Sequence, residues 1–281
     1  MIYDWGDSVG GIRLFSIVNR RSLIVNRPIF AHMMNDSTNT PPELRIALVG
    51  YGQMGREIER LAAGRGIDIA ARYTSHSPLG DEPVAPFDAA IEFSRPDAAV
   101  ANIERVLGWG KPIVVGTTGW LSRMEDVRRA VDTFQGRVIY GSNFSIGVNL
   151  FFKLVREAGR LFDDREMYDV AVHEIHHNRK ADSPSGTAIT AANILLEEIA
   201  RKTSLLTDPP HGRIDPSALH VTSQRLGATI GTHTVAFDSD ADTLELTHRA
   251  RNRSGFALGA LLAAQWIVGR EPGIYRFEEI L

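Results

Sequence analysis

The chain has 281 residues, of which 43% are hydrophobic and 23% charged, and it contains no cysteine. This composition excludes a disordered, collagenous or coiled-coil protein, and it supplies core material for about two domains of roughly 150 residues each. A net charge of −3, from 31 basic and 34 acidic residues, gives no global attraction to nucleic acid or anionic lipid, so any bound anion must be held by a local cluster.

Without cysteine, disulfides, thiolate nucleophiles, iron–sulfur clusters and Cys-type zinc sites are ruled out. A reducing compartment, the cytoplasm, is the expected location. The longest apolar stretch, Phe256 to Val268, is broken by Gln265 and falls short of the roughly 20 residues of a bilayer span. Neither a nucleic-acid nor a membrane partner is expected.

Residues 1–43 read as an N-terminal extension, either disordered or a misassigned start. They carry Arg13, Arg20, Arg21 and Arg27, no lysine, and the polar tail Asn35 to Pro42. A transit segment would be Arg-rich and acid-poor, but Asp4 and Asp7 count against one. The other reading places the true start at Met33 or Met34.

From Leu44 the pattern alternates between strand and helix. Leu44 to Val49 is a short apolar run suited to a buried parallel strand. Met54, Ile58, Leu61 and Ala62 then form one helical face, which Gly64 and Gly66 end. Strands are expected at Ile67–Tyr73, Phe87–Phe93, Pro112–Val115 and Arg137–Tyr140, with helices from Pro96 and over Trp120–Phe134. The connection before Phe87 is short, which suggests that it carries no helix of its own. This succession predicts an α/β, Rossmann-type parallel sheet over residues 44–144.

After Ser145 the pattern changes: helix (Val148–Phe162), strand (Tyr168–Ile175), helix (Thr187–Ala200), then strands at Leu219–Arg225, His233–Asp238 and Thr243–Arg249. A smaller α+β domain with a mostly antiparallel or mixed sheet is expected over residues 145–254. The last helix, Gly255–Val268, is apolar nearly all round and so must be buried, and residues 255–281 are assigned to the first domain.

Gly50-Tyr51-Gly52-Gln53-Met54-Gly55 fits G-x-G-x-x-G between a strand and a helix. In that setting Gly50 permits the tight turn, Gly52 lets a pyrophosphate approach, and Gly55 allows close helix–strand packing. The ribose-binding carboxylate usual about 20 residues on is missing, since the second strand ends Ala71-Arg72-Tyr73. Arg72 suits a 2′-phosphate, so NADPH is the expected cofactor, with NADH as a second. The other strand ends, Ser94-Arg95, Gly116-Thr117-Thr118 and Gly141-Ser142-Asn143-Phe144, are rich in small and hydrogen-bonding residues and belong on the same sheet edge.

His173-Glu174-Ile175-His176-His177 matches the zinc-protease pattern H-E-x-x-H, but the alternating run before it predicts a strand. There His173 and His177 stand about 13 Å apart, too far to share an ion. No metal is expected. His176, His177, Arg179 and Lys180 instead form a positive cluster leading into Ser183-Pro184-Ser185-Gly186-Thr187 at a helix start, an arrangement suited to a small dicarboxylate. A histidine able to donate a proton near neutral pH complements hydride transfer.

The stretch Glu174-Ile175-His176-His177-Asn178-Arg179-Lys180-Ala181-Asp182-Ser183-Pro184-Ser185-Gly186-Thr187-Ala188 closely resembles the signature of the 4-hydroxy-tetrahydrodipicolinate (dihydrodipicolinate) reductase family. Phe93-Ser94-Arg95-Pro96, Val115–Gly119 and Ser142–Asn149 support the resemblance, which extends from Leu44 to Leu281. It implies NAD(P)H-dependent reduction of 4-hydroxy-tetrahydrodipicolinate to tetrahydrodipicolinate, with loss of water, in the diaminopimelate route to lysine. It further implies His176 as proton donor and Lys180 as its companion and carboxylate ligand, with His177 and the Gly186–Thr187 backbone holding substrate. Gly50 to Gly55 would cradle the pyrophosphate, and Gly116, Thr117, Thr118, Arg95 and Gly141 to Phe144 would line the nicotinamide side. Family members are typically homotetramers joined through the second-domain sheets, so the resemblance implies a homotetramer here.

The chain departs from the family pattern at Arg72-Tyr73, where an acid is common, and at Gly231-Thr232-His233, where G-E-H is usual. Two alternatives stay open on sequence: another two-domain NAD(P)-dependent oxidoreductase acting on a small carboxylate or imine, and a dinucleotide-sensing regulator that keeps the fold.

Overall fold

The structure, a computed structural model, describes residues 44–281, and the expectations for residues 1–43 lie outside it. Its first half alternates β1 (Leu44–Val49), α1 (Gln53–Ala62), β2 (Ile67–Tyr73), β3 (Ala89–Glu92), α2 (Pro96–Gly108), β4 (Ile113–Val115), α3 (Met124–Phe134) and β5 (Arg137–Tyr140). Then come α4 (Ile146–Phe162), β6 (Asp169–His176), α5 (Gly186–Glu198), β7 (Ser204–Leu206), β8 (Ala218–Arg225), β9 (Gly231–Asp238), β10 (Thr243–Ala250), α6 (Ser254–Ile267) and β11 (Gly273–Arg276).

Six strands form one wholly parallel sheet in the order β11-β5-β4-β3-β1-β2, the Rossmann-type arrangement the alternation predicts. Side chains alternate across it with the strand period. Ile46 and Leu48 of β1 join Ile58 and Leu61 of α1 and Leu261 of α6 on one face. Ala47 and Val49 join Val100 and Ile103 of α2 and Val131 of α3 on the other. As its composition requires, α6 is enclosed, packing on α1, α4 and strands β3 to β5. The connection spanning residues 74–88 contains no helix, as expected.

Two strands were not legible in the sequence. Both β7 and β11 are too short to show a two-residue period, and each is fixed by a neighbour: β7 lies beside β8, and β11 beside β5. The Gly273 amide starts the β11 pairing by donating to the Gly136 carbonyl at 2.9 Å.

The second sheet runs β10-β9-β6-β8-β7. β10/β9 and β9/β6 are antiparallel, whereas β6/β8 and β8/β7 are parallel, so the sheet is mixed. The crossover through α5 returns the chain to the same end of the sheet for β7, and the helix-free segment 207–217 returns it again for β8, which makes both pairs parallel. Phe151 and Val155 of α4 and Leu195 of α5 pack against Val172, Val235 and Phe237 on one face. His173 is exposed on the other face and hydrogen-bonds Thr222 at 2.7 Å. None of the helices among the described residues is long and apolar enough to cross a membrane.

α6 meets the loop after β5 with no slack: a Cβ on Gly259 would stand 1.8 Å from the Phe144 carbonyl oxygen. Gly259→Ala is therefore expected to lower stability by about 1–3 kcal/mol through overpacking. Urea unfolding should show a lower midpoint at an unchanged slope.

Candidate active site

The first sheet presents its carboxyl edge as a row of glycine-lined turns. Gly50 has φ +94°, and a Cβ there would lie 2.1 Å from the Phe93 carbonyl, so the turn after β1 passes directly over the end of β3. A Cβ on Gly55 would come within 2.6 Å of the Gly50 carbonyl. Gly52 differs: a Cβ there would meet no described atom within 4 Å. As N-cap of α1 it also has no side-chain capping bond. Its glycine therefore keeps open the space before the helix amides, and this fits a dinucleotide pyrophosphate. Gln53 is exposed at the start of α1, and Met54 packs on the core.

Arg72 sits at the end of β2 with its guanidinium 5.8 Å from the centroid of the Tyr51 ring. It is paired with Glu59 of α1, whose second carboxylate oxygen accepts the Tyr51 hydroxyl. The Arg72 hydrogen bond holds the Glu59 carboxyl below its usual range.

The turns after β3 and β4 are tied together: the Ser94 amide is shared between Thr117 Oγ1 at 2.8 Å and Glu92 Oε1 at 3.0 Å. Glu92 is fully buried, and burial raises its carboxyl above the usual glutamate value. Gly116 is required by Phe93, whose ring would lie 2.1 Å from a Cβ at that position. Arg95 is exposed and pairs with Asp97 at 3.3 Å.

Two adjoining cavities open beside this edge. One, of about 720 Å³, is lined by Thr117, Thr118 and Gly141 and by residues of α4 and α5. The other, of about 420 Å³, is lined by His176, His177, Lys180, Ser185, Gly186 and Thr187. Ser142 and Asn143 line both. The Phe144 ring turns away into the core, 4.6 Å from Phe277, so its side chain is withdrawn from any ligand. The turn from Gly50 to Gly55 lines neither cavity and lies further along the sheet edge, toward β2.

The smaller cavity is built on the last residues of β6. Glu174 and His176 are two residues apart on a strand, so they share a face, and Glu174 Oε2 accepts from His176 Nδ1. Glu174 has no exposed surface, and Arg225 of β8 bonds its other oxygen at 2.9 Å. Burial opposes the Glu174 charge, but bonds from Arg225, Ser223 and His176 outweigh it and hold the carboxyl below its usual value. In His176 the balance is reversed: burial, together with the charges of Lys180 and Arg225, lowers its proton affinity against the pull of Glu174.

Beyond β6, the chain carries His177, whose Nδ1 is buried with no partner among the described residues. Lys180 Nζ lies 2.7 Å from Asp182, and that bond is the main reason the Asp182 carboxyl is held low. The Ser183–Pro184 peptide is cis, and α5 begins directly after it. Ser185 caps α5 by accepting the Ala188 amide at 3.2 Å. A Cβ on Gly186 would meet no described atom within 4 Å, so this glycine, like Gly52, serves open space before a helix.

Four residues of this site had no assigned part in the sequence reading. Arg225 bonds both Glu174 and the Asp182 carbonyl, the latter at 2.6 Å, and so ties β8 to the signature loop. His233 is buried with its ring 5.0 Å from that of His176, and its Nε2 lies 3.0 Å from Ser185 Oγ. Gly231 leaves room for His176, whose Nε2 would be 2.9 Å from a Cβ there. Glu174 was visible only as part of the signature. Ligand atoms of Glu174, His176 and His233 fall within 4.8 Å of one another, but Arg225 already neutralises the one carboxylate, which disfavours a cation.

Residues 44–144 match the family model described as dihydrodipicolinate reductase, N-terminus, and residues 147–281 match that of dihydrodipicolinate reductase, C-terminus. The 4-hydroxy-tetrahydrodipicolinate reductase of Christiangramia forsetii is 38% identical over 238 residues, covering 85% of this chain and 98% of that protein. The enzyme of the same name from Methanoregula boonei is 38% identical over 245 residues, covering 82% and 94%. Among solved structures, a dipicolinate-bound dihydrodipicolinate reductase from Paenisporosarcina sp. TG-14 shares the fold, with a TM-score of 0.67 and 22% identity over 85% of this chain and 99% of that one.

His233 generates a test of the buried cluster. Burial, followed by the charge of His176, lowers its pKa from 6.5 to about 4. The folded state therefore binds fewer protons than the unfolded chain, and the stability present above pH 6.5 is lost as pH falls toward 4. Between pH 7 and pH 5 this histidine should cost about 2 kcal/mol. Urea unfolding at the two pH values should show a smaller loss, by about that amount, in His233→Gln.

Proposed function

Since the chain belongs to the dihydrodipicolinate reductase family and is an oxidoreductase of lysine biosynthesis, we propose that it reduces 4-hydroxy-tetrahydrodipicolinate at the smaller cavity. Substrate, NAD(P)H and a proton give tetrahydrodipicolinate, NAD(P)⁺ and water. The observation that carries this reading is that one cavity is lined by a histidine held by a carboxylate, a lysine, and the open amide end of a helix. It adjoins, through Ser142 and Asn143, a second space bordered by the turns of the parallel sheet. Residues 44–144 with 255–281 form the proposed dinucleotide-binding domain, and residues 145–254 the substrate-binding and oligomerisation domain.

The bound cofactor supplies the hydride. The cofactor residues proposed are Gly50 to Gly55 for the pyrophosphate, Arg72 for a 2′-phosphate, and Gly116, Thr117, Thr118, Gly141, Ser142, Asn143, the Phe144 backbone and Arg95 toward the nicotinamide. NADPH is the proposed preference, with NADH also used.

Lys180 and the Gly186–Thr187 amides hold the two substrate carboxylates, assisted by His177. With Nδ1 committed to Glu174, His176 has Nε2 left for proton exchange. A doubly anionic substrate raises the proton affinity that burial has lowered, so His176 takes up a proton as substrate binds and passes it on when negative charge develops on the ring. Glu174 acts through His176, fixing its tautomer and stabilising the imidazolium. Lys180 stabilises developing negative charge.

The face of the second sheet opposite α4 and α5 is the surface proposed to join a homotetramer. It carries Thr234 and Thr247, 2.9 Å apart, and the exposed His173. The cytoplasm is the proposed setting.

A reductase assay on enzymatically generated substrate tests the assignment. His176→Gln should lower kcat about 10²–10⁴-fold with cofactor affinity retained. Wild-type activity in that variant overturns the role. Because the donor must be protonated, kcat/KM should fall as pH rises through the His176 pKa. Glu174→Gln removes the charge that raises that pKa, so its alkaline limb should move to lower pH.

A further inference from the structure

We propose that Glu59 of α1 supplies the acid that the end of β2 lacks, and that its bridge between Tyr51 and Arg72 sets how the enzyme divides between NADH and NADPH. The inference deepens the nicotinamide-dependent reading above and rests on it. Glu59 thereby becomes a specificity-determining residue in a helix rather than at a strand end.

The geometry joins three elements at one point. Tyr51 lies in the glycine turn, between Gly50 and Gly52, and Arg72 pairs in register with Leu48, just before that turn. The Arg72 guanidinium lies over the Tyr51 ring, and one Glu59 carboxylate takes both the guanidinium and the Tyr51 hydroxyl. In a parallel sheet of this kind, the junction of the first turn and the second strand end receives the adenine-side ribose, and an acid there accepts its 2′-hydroxyl. This chain has an arginine at that strand end, while the nearest carboxylate arrives from α1. Both side chains remain partly exposed and so can reach a ligand.

Each cofactor makes a different demand on this bridge. A ribose 2′-hydroxyl needs an acceptor, which the Glu59 carboxylate provides while keeping Arg72 neutralised. A 2′-phosphate needs the guanidinium, and to reach it must compete with a carboxylate already bound there and approach that carboxylate's charge. Glu59 therefore favours NADH and opposes NADPH, whereas Arg72 does the reverse. A pair this exposed contributes little to stability, so its effect belongs in ligand choice.

Binding of NADPH and NADH to the full chain, followed by enhancement of nicotinamide fluorescence, reads this without turnover. In Glu59→Gln the ratio of NADPH to NADH affinity should rise about tenfold, the scale of one charge-assisted hydrogen bond, with unchanged thermal stability. In Arg72→Ala the ratio should fall by a similar factor. Equal effects of Glu59→Gln on the two cofactors, or no effect on the ratio, overturn the proposal. Loss of NADH affinity in Glu59→Gln together with an unchanged ratio in Arg72→Ala supports it while removing only the 2′-phosphate role of Arg72. Absence of turnover with the dicarboxylate bears on the substrate assignment alone, because binding is read independently.

Discussion

A carboxylate with no access to water must be matched by charge and hydrogen bonds, and much of the site is arranged around meeting that demand at Glu174. His176 approaches along the same strand, while Arg225 comes from the neighbouring parallel strand. Arg225 then extends to the Asp182 carbonyl and holds the loop that carries Lys180 toward the start of α5. Removing one partner of such a buried pair costs about 3–5 kcal/mol, because it leaves an uncompensated charge. The same network therefore fixes the fold locally and orients the proposed proton donor.

The histidines around this carboxylate are held short of protons. His176 and His233 sit ring against ring, and burial lowers the proton affinity of both. His233 is further committed to Ser185, the cap of α5, so the helix end and the proposed proton-transfer histidine share one support. In the proposed reaction the negative charge of the dicarboxylate is the counterweight, coupling proton uptake to substrate binding.

Five glycines fall into two physical kinds. Gly50, Gly116 and Gly259 are demanded by close approach, since a Cβ at each would overlap a carbonyl or an aromatic ring. Gly52 and Gly186 have no such neighbour within 4 Å among the described residues, and both stand at helix starts. Packing explains the first kind, and the second leaves open space at the helix starts proposed to hold the pyrophosphate and a substrate carboxylate.

The alternation of strand and helix from Leu44 to Tyr140, the burial of α6 and the cluster leading into α5 were all set by local rules: side-chain period, glycine turns and helix capping. The signature stretch was enough to indicate the family. Tertiary structure alone decided the rest. β7 and β11 exist because a neighbouring strand offers a free edge, and the second sheet is mixed because α5 carries the chain across to a parallel strand. Arg225, Gly231 and His233 reach His176 across strand pairs, and Glu59 reaches Arg72 from a helix. Such contacts depend on register and on which faces meet, and a linear sequence encodes neither until long-range burial has chosen one packing among many.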